Sequence, residues 1–196
     1  MRHEVNHIDD MTNIDYRSLN QILLEPPSPV EQGNSDIWAK MTSLLGKPLP
    51  NDFMWYIDTY GSGSISDFVY VFNPFSGNKN FNFQIQVIEK LSILGSIKQS
   101  EGEKVVPYSL CFEPGGLLPW GGDDNGDTFY WLTTAGSSDN WTVVLGQARG
   151  DDWEEYPFSM TVFLKKLLTK EIHSNLLPDD FVAGPDTPLV FKPIGY

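Results

Sequence analysis

The chain has 196 residues, 40% of them hydrophobic and 13% aromatic, which is enough apolar material for one packed core and excludes a disordered chain. Its 26 acids against 13 bases give a formal charge of −13 and a pI near 4.4. Such a surface repels phosphate backbones and anionic lipid, so nucleic acid and membranes are not expected partners, while a basic partner would be drawn in. Cys111 is the only cysteine, so no intramolecular disulfide can form, which fits a reducing compartment. Met1–Asp10 has no apolar leader, and no apolar run approaches the roughly 20 residues of a membrane span. The expected location is cytoplasmic.

Residues 1–12 are polar. Tyr16, Leu19 and Leu23 then recur at helical spacing with Ile22 beside them, and Pro26, Pro27 and Pro29 end that segment. Residues 1–33 therefore form an extension with a short helix and a Pro-rich linker. A helix follows, capped by Asn34 or Ser35, with Ile37, Trp38, Met41, Leu44 and Leu45 as its apolar stripe and Gly46 as its stop. A second helix starts after Pro50, carries Phe53, Tyr56, Ile57 and Tyr60, and ends at Gly61.

Ile65–Phe72 is rich in β-branched and aromatic residues and is expected to be one strand. Phe83, Val87, Leu91 and Leu94 place a third helix within 81–98, although Phe81–Val87 also alternates like a strand. Short strands are expected at Tyr108–Phe112, Thr128–Thr133 and Thr142–Gln147, with Asn125-Gly126 as a tight turn. Phe129-Tyr130-Trp131-Leu132 is apolar on both faces and should lie inside the sheet. A last helix opens near Ser159 with Met160, Phe163, Leu164, Leu167 and Leu168, and the proline-punctuated tail from Pro178 should drape over the surface. Helices, then strands, then a helix give an α+β class: a twisted, mainly antiparallel sheet packed with helices over 34–175, with 176–196 as a tail packed on it.

The chain lacks a G-x-S-x-G elbow, a G-x-G-x-x-G turn and a phosphate loop, so the common hydrolase and nucleotide sites are missing. His3 and His7 stand four apart without a third ligand, which is no basis for a metal site. Two acidic clusters remain, Asp123-Asp124-Asn125-Gly126-Asp127 and Asp151-Asp152-Trp153-Glu154-Glu155. The first fails as a calcium loop, because Thr128 and Thr134 stand where glycine and glutamate are required. Neither cluster fixes two carboxyl groups in a pocket as glycosidase chemistry requires. Both read as loops, where partner contacts concentrate. Asp123, Asp124, Asp151, Asp152, Trp153, Glu154 and Glu155 are thus the candidate partner-binding residues, with Trp153 as an apolar anchor among acids. A solvated turn and a solubilising surface account for the same residues.

Three stretches in order resemble the SUKH superfamily: Leu49-Pro50-Asn51-Asp52-Phe53 leading by a helix to Tyr60-Gly61 and a strand before Asn73-Pro74; Leu118-Pro119-Trp120-Gly121 before the Asp124–Asp127 turn and an aromatic strand; and Trp141-Thr142-Val143-Val144, an acidic loop, then Ser159 opening a helix with Phe163-Leu164. The resemblance covers about residues 34–172. It implies a twisted antiparallel sheet packed with helices, no catalysis and no cofactor. Bacterial members are immunity proteins that neutralise polymorphic toxins, many of them nucleases; fungal members act in signalling and cell-wall control. The expected role is therefore binding and occluding a basic cognate protein toxin, with a regulatory or scaffold module as the alternative.

Overall fold

The computed structural model describes residues 16–110, 114–181 and 189–194. Its four α-helices begin where an orphan backbone N–H finds a cap. α1 (Ser35–Leu45) opens with Asn34 Oδ1 accepting the Ile37 N–H at 3.1 Å and ends at Gly46 in the left-handed region. α3 (Phe83–Glu101) is capped in the same way by Asn82 on Ile85. The other two helices borrow their caps from afar. α2 (Asn51–Tyr60) follows Pro50, which has no capping side chain, and Asp139 accepts both the Asn51 N–H, at 2.7 Å, and its Nδ2, at 2.8 Å. α4 (Met160–Leu168) follows Ser159, and Asp52 of α2 accepts the Thr161 N–H at 2.9 Å and its hydroxyl at 3.2 Å.

Among the described residues seven strands make one sheet: β1 (Gly63–Ile65), β2 (Val69–Val71), β3 (Leu117–Asp123), β4 (Thr128–Leu132), β5 (Thr142–Gly146), β6 (Trp153–Tyr156) and β7 (Phe191–Pro193). Their order is β6-β5-β4-β3-β2-β1-β7, and every neighbouring pair is antiparallel. The α+β class and the interior place of β4 are as expected.

One face of the sheet sends Trp120, Phe129, Trp131, Val143 and Leu145 into a cluster with Phe53, Tyr56 and Ile57 of α2 and Phe163 and Leu164 of α4. The rings meet largely edge-on, with Phe53 5.1 Å from Trp131 and Trp120 6.4 Å from Phe163. Leu19 and Leu23 are fully buried in the same cluster, so the 3-10 turn Tyr16–Gln21 closes this core. The Tyr60 hydroxyl, 2.6 Å from Asn20 Oδ1 and 2.7 Å from the Leu23 carbonyl, ties that turn to α2. The opposite face carries Leu117, Tyr130 and Val144 against Leu94 of α3 and Val106.

Several expected elements differ. Ile65–Phe72 is a hairpin and not one strand, because Ser66 and Asp67 take positive φ and turn the chain between β1 and β2. Tyr108–Leu110 forms no strand, only a bridge from Ser109 to Gly116, and 111–113, including Cys111, lie outside the described residues. The strand is instead Leu117–Asp123. Its Pro119 is tolerated because the register with β4 shifts between Pro119 and Gly121. Part of the tail is an edge strand, with Phe191–Pro193 paired to β1. Of the apolar residues placed on the helix stripes and the inner strand, Phe53, Trp131 and Phe163 are fully buried, but Trp38 is only half-buried, its indole N–H donating to Asp58 Oδ1 at 2.9 Å.

Phe163 touches Trp120, Phe129 and Tyr156 in a closed site. Phe163→Ala should lower the unfolding free energy by roughly 3–5 kcal/mol. Urea unfolding measures it, and a loss under about 1 kcal/mol would mean that this core is loosely packed.

Candidate binding face

The antiparallel run β3-β4-β5-β6 brings two turns to the same end of the sheet, residues 124–127 between β3 and β4 and residues 147–152 between β5 and β6. A hydrogen bond joins them: the Ala148 N–H donates to Asp127 Oδ1 at 2.7 Å. The two acidic clusters, separate in sequence, therefore form one end of the molecule.

Within that end the acids divide into two kinds. Asp123 is 1% exposed and ends β3, where its Oδ1 accepts the Asp127 N–H at 3.0 Å. Burial, and then the neighbouring Asp127 carboxylate, push the Asp123 carboxyl up to about 6. Glu154 faces the main core side of β6, where it accepts from Ser174 at 2.6 Å, from the Tyr156 hydroxyl at 2.7 Å and from the Asn175 backbone at 2.8 Å. Burial would raise its carboxyl, but these bonds outweigh burial and hold it below its ordinary value. Asp124, Asp151, Asp152 and Glu155 are exposed.

The expectation that both clusters lie in loops needs correction. Asp124, Asp127 and the Asp151-Asp152 pair are in turns; Trp153, Glu154 and Glu155 belong to edge strand β6, and Asp123 belongs to β3. Gly146 leaves room on β5 for the Trp153 ring: a Cβ there would sit 2.5 Å from it. Trp153 is accordingly no free-standing anchor. It is half-buried, donates its indole N–H to the Val105 carbonyl at 2.8 Å, and meets Tyr108 edge-on at 5.1 Å and Tyr130 at 5.9 Å. Glu155, on the same face, accepts the Tyr108 hydroxyl at 2.6 Å.

Beside this face a cavity of about 160 Å³ opens between α3 and the sheet, with Lys90, Ile93, Ile97, Tyr130 and Trp153 in its lining. Burial pulls the Lys90 ammonium down, while the carboxylates of Asp123, Glu89 and Asp127 pull the other way. Sequence spacing gave no sign of Lys90 or Tyr108 here, because both reach the site through long-range packing. Among the described residues, no group of three or more His, Cys, Asp or Glu side chains is placed to hold a metal.

Two substitutions test this end. Gly126 holds φ at +93°, and a Cβ would sit 3.4 Å from Ala148, across the joint between the turns. Gly126→Val should cost roughly 1–3 kcal/mol, and an unchanged melting temperature would contradict the strained turn. Asp123→Asn keeps the oxygen that accepts the Asp127 N–H but cannot ionise. With the native carboxyl near 6 and the unfolded one near 3.8, the folded wild type holds the extra proton between those values. Wild-type stability should therefore fall, relative to Asp123→Asn, as pH rises from about 4 to about 6. Parallel urea midpoints across that window would show that Asp123 titrates normally.

Comparison with known proteins agrees with this architecture. A family model described as SMI1-KNR4 cell-wall, of the SUKH type, matches residues 36–164. No curated protein and no solved structure gives a match. The matched span runs from the first turn of α1 into α4 and so takes in both distant caps, the sheet from β1 to β6 and both acidic turns. The chain belongs to the SMI1-KNR4 cell-wall family of the SUKH superfamily.

Proposed function

We propose that this chain is a non-catalytic immunity protein that binds a cognate toxin in the cytoplasm and occludes its active site. The observation that carries this reading is the joining of the two acidic turns at one end of the sheet. It concentrates Asp124, Asp151, Asp152 and Glu155 on a rigid frame. A nuclease must present a basic face to bind a polyanion, and a carboxylate-rich surface is complementary to it. Trp153 and the adjoining cleft offer the apolar component that charge alone lacks. Asp123 and Glu154 serve the frame, and their part in binding is to hold the exposed acids in place. The absence of nucleophile and phosphate-loop motifs in the sequence supports a role without turnover. Among the described residues no helix is long and apolar enough to cross a membrane, which is compatible with the proposed location.

A second reading has one observation behind it. The matching family model carries a cell-wall description, which favours a regulatory or scaffold module in envelope signalling. Finding a toxin gene directly upstream would support immunity over that module, and its absence would support the module.

The experiment is charge reversal. Asp124, Asp151, Asp152 and Glu155 are changed to Lys together in a chain that stays folded, and protection from the cognate toxin is measured alongside the association rate. The expected outcome is a loss of affinity of at least roughly tenfold, about 1.4 kcal/mol. Most of the loss at low salt should be in association rate, and the gap to wild type should narrow as salt rises. Unchanged protection would place the toxin contact elsewhere on the fold.

A further inference from the structure

Among the described residues both ends of the sheet order are edges, and the two are built differently. β7 is three residues long, ends in Pro193, and carries Lys192, which is paired with Asp67. Proline and lysine are common guards of an edge against strand addition. β6 has neither. The Gln147 N–H donates to the Asp152 carbonyl, which makes 147 and 152 a hydrogen-bonded pair in the ladder. In an antiparallel pair such positions alternate, so Leu145–Glu154 and Val143–Tyr156 are bonded pairs as well. The backbone N–H and C=O of Trp153 and Glu155 therefore point away from β5, toward the open edge. Among the described residues none supplies a backbone partner for them.

This edge is walled on both faces. On one side Val105 and Tyr108 are bonded to Trp153 and Glu155; on the other, His173, Ser174 and Asn175 are bonded to Tyr156 and Glu154. The walls hold β6 in extended form. The exposed charge around the edge is Asp151, Asp152, Glu155 and Glu103 against Arg149 and Lys104, an acidic excess.

We propose that β6 is a strand-addition site whose occupant is a basic, extended segment of a protein partner. The proposal rests on the protein-binding reading above and adds the surface and the chemistry of the segment. Backbone groups of Trp153 and Glu155 pair with the incoming strand, whose cationic side chains lie over Glu155 and the Trp153 ring. A second copy of this chain fits poorly, because two β6 edges related by a two-fold axis would, according to where the axis falls, set Glu154 or Glu155 against its own copy, and like charges opposed across strands are destabilising. The acidic edge thus resists self-pairing and admits a basic strand.

The test needs no toxin, so its failure is distinct from failure of the immunity reading. Two synthetic peptides of equal charge are titrated into the full-length protein: acetyl-Thr-Lys-Val-Lys-Val-Lys-Thr-amide, and the same sequence with proline in place of both valines. Amide resonances and hydrogen exchange are followed by NMR. The expected result is saturable binding of the valine peptide at least roughly tenfold tighter than that of the proline peptide, with slowed exchange at the Trp153 and Glu155 amides. Glu155→Lys should weaken the valine peptide by a similar factor. If that variant unfolds, Asp151→Asn with Asp152→Asn should weaken it to a smaller, salt-dependent degree. Equal binding of the two peptides would reduce the effect to charge alone and overturn the proposal. Slowed exchange at amides away from β6, or no saturation at millimolar peptide, would overturn it as well.

Discussion

The buried carboxylate of Asp52 is the contact on which the packing of this fold turns. It lies in the first turn of α2, yet it caps α4, whose own Ser159 makes no cap bond. One acid thereby fixes two helix starts relative to each other, and those helices supply Phe53 and Phe163 to opposite parts of one aromatic cluster on the sheet. Burial raises the Asp52 carboxyl, and hydrogen bonds from Thr161 and Ser159 oppose that rise, so the site is held by bonds to the charged form against the cost of desolvation. Asp139 performs the matching task for α2, from the turn between β4 and β5. The helices are thus positioned by acids from distant parts of the chain, and the sheet face they cover is fixed with them.

The same division of labour recurs at the acidic end. Asp127 holds the β5–β6 turn through Ala148, Asp123 holds Asp127, and Glu154 holds the segment after α4 through Ser174 and Asn175. A net charge of −13 therefore overstates what a partner meets there. Acids that are desolvated and bonded are structural, and four acids on the outside, Asp124, Asp151, Asp152 and Glu155, set the local field together with the exposed Arg149.

Sequence patterning located the helices and the strands β4 and β5 well, because their apolar runs and stop signals are local. The Asn34 cap, the Gly46 and Gly61 stops, and the apolar runs of β4, β5 and α4 are all read within a turn or two of the residue itself. What was illegible is long-range. β3 contains Pro119 and two glycines, a composition that argues against a strand, and only its bulged register with β4 reconciles them. The Ser66-Asp67 turn lies inside a run of good strand formers, and neither residue is glycine or asparagine, the usual markers of positive φ. β6 reads as an acidic loop because two consecutive glutamates hide the alternation. In the fold one glutamate faces the main core side and the other the side of α3.

That alternation explains how a strand of composition Trp-Glu-Glu-Tyr remains ordered at an edge. The aromatic at each end packs inward, Trp153 on Tyr130 and Tyr156 on Phe163, so each face of the strand gains one ring. Each glutamate between them is met by a donor, Tyr108 for Glu155 and Ser174, Asn175 and Tyr156 for Glu154. The edge is therefore stabilised by side chains on both faces, and among the described residues its outward backbone groups find no partner. Side-chain packing and the ladder to β5 set the strand, and the outward backbone groups of Trp153 and Glu155 are left over. An arrangement of this kind can exchange water for a partner strand at the edge without disturbing the core, since no bond that maintains the fold has to break first.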